Sequence, residues 1–271
     1  MRSEARLPVL PWVLLLALTT AYLGWGLAPE TALYSEWLTP RVLLAIASVS
    51  KLAYLLGGAL LAFACRDQLD TGNPARPAWA LLSAGLFATL GGQLSLAPFQ
   101  ILSGTTPFPS VGDIYYVLAY PFLIASFLVF LRAYREGGFP VGSLAERLAI
   151  VAAVGLLGGT LAVWMLRPVA AGGGDLLKGI LNVAYPLLDL VLLMPLALLL
   201  RMALRMRGSH AGTVWSLLLA GFVALACGDI AFAYLTQLDV QHVDPFVHAT
   251  FILSYGLVAA GAHRQLLLLK S

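Results

Sequence analysis

Lys51, Gln93, Asp113, Asp189, Asp229 and His248 all fall inside or at the mouth of long apolar runs. A charged side chain in hydrocarbon costs several kcal/mol unless it is paired or hydrated, so its presence there points to a site. The chemistry open to this set is proton relay, ion or ligand binding, and interhelical pairing. Asp113 stands in Pro109-Ser-Val-Gly-Asp-Ile-Tyr-Tyr, where a carboxylate at a helix start also serves as a cap. Asp189 and Asp229 lie too deep for capping, which leaves interhelical hydrogen bonding or a ligand or proton site. Lys51 is expected to pair with an aspartate; a lone lysine also suits a retinal Schiff base, but no motif for one surrounds it. Tyr116, Tyr120 and Tyr255 accompany the charged groups.

The stretch Asp239-Val-Gln-His242-Val-Asp244-Pro-Phe-Val-His248 invites a metal reading. Asp244 and His248 are four residues apart and share a helix face, and His242 could approach from the loop. Oxygen and imidazole donors suit zinc or a similar ion, although a solvated polar loop explains the same residues. No cofactor is assigned. Cys65 and Cys227 lack metal-type spacing and are expected to be small buried residues. No nucleophile elbow, phosphate loop or spaced pair of catalytic carboxylates occurs, so no enzymatic activity is expected. Asp67 and Asp70 read as a solvated loop.

These groups must be held by helices in a bilayer. The 271 residues are 60% hydrophobic and only 11% charged, against roughly 25% charged in a soluble domain. The net charge of +3 is spread out, which argues against a nucleic-acid partner. A crossing helix needs about 20 predominantly apolar residues. Runs at approximately 8–27, 42–65, 78–100, 112–132, 147–167, 179–201, 213–237 and 245–267 qualify. The first is too long for a signal core and is read as retained. The fold class expected is therefore an all-α polytopic membrane protein with about eight crossings, forming a single integral domain over 1–271.

Basic loop residues set the orientation. Arg2, Arg6, Arg66, Arg76, Arg132, Arg135, Arg147, Arg201, Arg205, Arg207, Arg264 and Lys270 fall on one side, and only Arg41, Arg167 and Lys178 on the other. This puts both termini in the cytoplasm of a bacterial inner membrane. The polar groups then gather in the outer half, above an almost purely aliphatic inner half. Pro121, Pro186 and Pro195 are expected to kink their spans and help open a cavity toward the periplasm. Trp79, Ala84, Gly85 and Gly92 recur in order as Trp215, Ala220, Gly221 and Gly228, Tyr120 as Tyr255, and Ala53-Tyr54 as Ala184-Tyr185. This predicts two parallel four-helix repeats, approximately 8–135 and 146–268, in which Asp113 corresponds to His248 and Gln93 to Asp229.

Pro109-Ser-Val-Gly-Asp-Ile-Tyr-Tyr-Val-Leu-Ala-Tyr-Pro121, Ala184-Tyr-Pro-Leu-Leu-Asp189 and Gly228-Asp-Ile-Ala-Phe-Ala-Tyr234 occur in that order. Together they resemble the multi-span N-terminal membrane region of bacterial GGDEF/EAL cyclic-di-GMP proteins and of some histidine kinases, over roughly residues 78–268. The resemblance implies a sensory module controlling a cytoplasmic output domain, with Asp113, Tyr120, Tyr185, Asp189, Asp229 and Tyr255 on the family's pattern. His248 stands where that pattern usually has an aspartate. No Gly-Gly-Asp-Glu-Phe sequence is present and no output domain follows Ser271, so the module would work through a partner or belong to a longer chain. The partners expected are the bilayer, a cytoplasmic signalling protein and a second copy of the chain. A small-solute or proton-coupled transporter, and a metal- or cofactor-binding subunit, are the alternatives.

Overall fold

The computed structural model describes residues 9–27, 36–139, 142–171, 175–205, 211–237 and 245–271. Eight α-helices account for most of them: α1 Val9–Leu27, α2 Pro40–Asp67, α3 Arg76–Pro98, α4 Val111–Glu136, α5 Leu144–Ala171, α6 Leu176–Arg205, α7 Ala211–Gln237 and α8 Pro245–Lys270. Six of these are long and apolar enough to cross a membrane, and Leu10–Gly26 adds a shorter apolar helix. No strand occurs among the described residues. The all-α polytopic expectation is met, and every expected run coincides with a helix.

Local chemistry starts the helices where the apolar runs begin. Thr39 caps α2 through the Val42 amide, and Pro40 takes the first helical position, where its missing N–H is no loss. Ser110 and Asp113 form a reciprocal capping box on α4. Ser143 and Glu146 do the same on α5: the Ser143 amide donates to the Glu146 carboxylate at 2.8 Å, and the Glu146 amide donates to the Ser143 hydroxyl at 3.2 Å. The Leu177 amide donates to the Asp175 carboxylate at 2.9 Å at the start of α6. A π-helical turn, Phe99–Ser103, prolongs α3 and is closed by Gly104 at φ 66°, a left-handed backbone that glycine adopts without strain. Helices α4 and α6 run on through Pro121, Pro186 and Pro195.

Helix association in lipid relies on close van der Waals packing, which small residues permit. A Cβ on Gly85 would come within 2.6 Å of Leu123, and one on Gly92 within 2.7 Å of the Tyr116 ring, so α3 and α4 approach closely. On α7, Gly221 meets Val258 at 2.8 Å and the Ser254 carbonyl at 3.0 Å, while Gly228 meets Thr250 at 2.6 Å. Helix α8 packs on α1, α2 and α7, and α6 packs on α4, α5 and α7. Leu15 of α1 fits over Gly256, inside a small cluster with Tyr22, Leu43, Ala47, Ala249 and Ile252.

Away from the polar groups the core adds a cluster of aromatic rings to its leucines and alanines, where the expectation was of almost purely aliphatic side chains. Phe130 sits edge-on to both Trp79 and Trp215 at 5.1 Å, Phe127 contacts Phe222 at 5.4 Å, and Trp215 Nε1 donates to the Tyr134 hydroxyl at 3.3 Å. In the sequence Trp79 and Trp215 stand out only by their matching positions, and the phenylalanines only as apolar residues, so nothing there shows which rings meet. Cys65 is buried, with its Sγ 3.4 Å from the Ala262 carbonyl, but Cys227 is exposed on α7, contrary to expectation. An apolar helix exposes such a side chain to lipid at little cost.

Candidate functional site

The polar side chains converge at the end of the bundle where α3 finishes and α4 begins. They surround a cavity of about 100 Å³, space for on the order of seven waters. Its walls combine Lys51 of α2, Gln93 and Gln100 of α3 and its π-turn, Asp113, Tyr116 and Tyr120 of α4, Tyr185 of α6, Asp229 of α7 and Tyr255 of α8. Phe108, Phe232 and Phe251 supply apolar surface between them.

Asp113 does two structural jobs. Its Oδ2 accepts from the Ser110 amide at 2.6 Å, completing the capping box, and its Oδ1 accepts from the Tyr185 hydroxyl at 2.6 Å. Both oxygens therefore have protein donors, and the cap reading holds for this residue.

Asp189 and Asp229 are brought together by Tyr120. The Tyr120 hydroxyl is 2.8 Å from Asp189 Oδ1 and 3.3 Å from Asp229 Oδ2. One hydroxyl has one proton, so it serves one carboxylate at a time, and the shorter distance favours Asp189. Asp189 is 1% exposed and its Oδ2 has no hydrogen-bond donor among the described residues. Two carboxylates so placed in a low dielectric repel each other strongly unless positive charge or a proton comes between them. Asp229 lines the cavity; Asp189 sits behind it, next to Tyr120.

Lys51 departs from its expected aspartate partner. Its Nζ lies 3.3 Å from His248 Nδ1, and no carboxylate stands within ion-pair distance among the described residues. The reason is topological. Helix α2 packs on α8, while Asp189 and Asp229 come from α6 and α7. The ammonium has no acceptor lone pair, so it donates to Nδ1, which leaves the imidazole proton on Nε2. That Nε2 is buried with no partner among the described residues, and the imidazole lies edge-on to the Tyr22 ring with the ring centroids 6.1 Å apart.

Gln93 is held by a chain of amides and hydroxyls. Its Nε2 donates to Ser48 at 3.2 Å and to Gln100 Oε1 at 2.9 Å, Gln100 donates on to Thr106 at 3.3 Å, and Tyr116 reaches Gln93 Oε1 at 3.4 Å. Sequence reasoning missed Gln100, Thr106 and Tyr22. Gln100 lies just beyond the last apolar turn of α3, where an amide resembles any loop residue. The π-turn that aims it inward carries no sequence signal. Only the polar position seven residues after Gln93, on the same helical face, pointed to it.

No group of three or more His, Cys, Asp or Glu side chains able to hold a metal occurs among the described residues. His242 and Asp244 lie outside the described residues, and His248 is turned toward Lys51 rather than toward a shared metal position. At the opposite end, Glu146 joins α5 to α6 through ion pairs with Arg201 and, at 2.5 Å, with Arg205. The backbone amide of Ser143 and these guanidinium groups hold its carboxyl down at about 2. Comparison with protein-family models, with curated proteins and with solved structures gives no match for the chain.

Proposed function

We propose that this chain is a membrane-embedded sensory module of a bacterial inner membrane. In this reading the cavity opens toward the periplasm and receives the stimulus, and both termini lie in the cytoplasm. The observation that carries it is the course of α8. This helix presents His248, Phe251 and Tyr255 at the cavity end, then runs without a break to Lys270 at the other end. Along its apolar stretch it is more buried than any other candidate span, so it is packed by neighbours on most sides. A change at His248 or Tyr255 would then be delivered to the opposite face, where a cytoplasmic partner or output domain reads it.

We read the bundle as two like units, which supports this function. Leu123 packs on Gly85 as Val258 packs on Gly221, and Trp79 and Trp215 meet the same Phe130. The Lys51–His248 contact joins α2 to α8, and the Tyr185–Asp113 bond joins α6 to α4 in the corresponding way. Two like units around one cavity give a bundle whose halves can shift against each other.

The test is crosslinking through the α8 tail. A photoreactive residue at Lys270 in native membranes is expected to capture one signalling protein, with a yield that changes in the Tyr255→Phe and His248→Asn variants. Capture that ignores both variants, or no signalling protein captured, overturns the sensory reading. A carrier is the second reading, favoured by the proline-containing α4 and α6 beside a polar cavity. It requires solute or proton flux in proteoliposomes that Asp189→Asn and Asp229→Asn abolish.

A further inference from the structure

Both signs of buried charge lie at one cavity without meeting each other. Lys51 is 2% exposed, makes one contact, to a neutral-type imidazole nitrogen, and has no carboxylate partner among the described residues. Asp229 shares a single tyrosine hydroxyl with Asp189 and lies within hydrogen-bonding reach of its carboxyl, so the two can hold one proton between them, and no cation pairs with either among the described residues. A protein ordinarily pairs such groups with each other, because an unpaired buried charge costs several kcal/mol. Here the cavity lies between them and is lined by both Lys51 and Asp229. Asp113, the other carboxylate in the wall, is already held by the Ser110 amide and the Tyr185 hydroxyl, one donor on each oxygen.

We propose that the cavity binds a small zwitterion, an amino-carboxylate of α-amino-acid type or a short ω-amino acid. Its ammonium sits at Asp229, backed by Asp189 and the Tyr120 hydroxyl, and its carboxylate sits at the Lys51 ammonium. Each end of the ligand supplies the counter-charge that the protein omits. Tyr255, Phe232 and Phe251 present ring surface to the same space, which suits an ammonium head and a short carbon chain. The cavity of about 100 Å³ has room for a small amino acid of the kind proposed. This inference rests on the cavity being a ligand site, as the sensory reading requires, and names the ligand class.

The experiment uses the purified full chain in lipid nanodiscs, with thermal unfolding followed by tryptophan fluorescence. Glycine, L-alanine, β-alanine and 4-aminobutyrate are compared at equal ionic strength with ethylamine, propionate, and the two together. At a hundredfold excess over its Kd, a bound zwitterion is expected to raise Tm by roughly 5–10 °C, with single-charge analogues giving little. Asp229→Asn and Lys51→Met are each expected to weaken binding at least about tenfold, the loss of one charge pair, while Lys51→Arg retains it. Where a variant is recovered poorly, equilibrium dialysis of labelled zwitterion on the unaltered chain replaces it, and competition then requires both charges on one molecule. The proposal is overturned if none of the four zwitterions shifts Tm. It is also overturned if ethylamine alone matches them and Lys51→Met changes nothing, the result for a simple cation site. Failure here with variant-sensitive crosslinking at Lys270 intact removes the zwitterion and leaves the sensory reading standing; zwitterion binding without such crosslinking does the reverse.

Discussion

Lys51 of α2 and His248 of α8 face each other across 3.3 Å in the buried interior, with neither carrying a carboxylate partner among the described residues. The pair ties α2 to α8, the helix on which α1 also packs. It also predicts strong non-additivity. Removing one partner strands the other, whereas removing both replaces a polar contact with an apolar one. His248→Phe is expected to destabilise the ligand-free protein by about 1–3 kcal/mol, and Lys51→Met/His248→Phe by less than the two single variants combined. A double-mutant cycle on reversible denaturant unfolding in mixed micelles measures the coupling; simple additivity contradicts the pairing.

Tyr120 and Tyr116 provide an internally controlled comparison. Tyr120→Phe removes the hydroxyl shared by two buried carboxylates and is expected to cost about 1–3 kcal/mol. Tyr116→Phe removes only a 3.4 Å contact to Gln93, which keeps Ser48 and Gln100, and is expected to cost under about 1 kcal/mol. The reverse order, read from unfolding midpoints, would remove Tyr120 from the centre of the site.

The glycines divide by what a methyl group would meet. At Gly221 the obstacles include the Ser254 carbonyl and the Val258 amide, which are backbone and cannot swing aside. Gly221→Ala is therefore expected to cost about 1–3 kcal/mol through overpacking. At Gly57 nothing lies within 4 Å, so Gly57→Ala is expected to be neutral or to stabilise α2 by up to about 1 kcal/mol. Thermal midpoints of the two variants, measured side by side, decide the point.

Glu146 gives the pH response of the α5–α6 end. Its carboxyl is held down to about 2 from a usual 4.5, chiefly by the Ser143 amide and then by Arg201. A depressed folded value means stabilisation that is complete above the unfolded value and lost as pH falls through the folded one. The contribution is thus present above about pH 4.5 and disappears toward pH 2. Glu146→Gln is expected to flatten that part of the Tm-against-pH curve by lowering Tm slightly above about pH 4.5, a small drop because the group is solvent-screened, and to converge with the unaltered chain near pH 2. An unaltered slope between pH 2 and 4.5 in the variant would assign the acid response elsewhere.

Hydropathy located every helix, because lipid demands about 20 apolar residues wherever a helix crosses. It placed the ends less well. The run at 112–132 became α4 Val111–Glu136, and the run at 179–201 became α6 Leu176–Arg205, since backbone hydrogen bonding continues past the apolar stretch. The convergence of Asp113, Asp229, Tyr116, Tyr120 and Tyr255 on one cavity, with Asp189 behind Asp229, was also legible, as polar groups in apolar helices seek one another. Their pairing was not. Lys51 was matched to an aspartate by charge alone, and only the packing of α2 on α8 selects His248. Gln100 escaped because a π-turn sets its direction, and the Phe130 bridge escaped because apolar residues give no hint of which ring meets which.

The Lys51–His248 contact also orders the birth of the molecule. The two residues are 197 positions apart, and so are Cys65 and Ala262 farther along the same two helices. At a synthesis rate of about 5–20 residues per second, α8 emerges roughly 10–40 s after α2 has entered the membrane. Throughout that interval Lys51 stands in a nascent bundle with its eventual neighbour still unmade. Such a lysine is tolerated in the meantime only through residual water or the protection of the insertion machinery. The Lys51 contact therefore waits for α8, and a chain that stops before His248 leaves that charge without its neighbour.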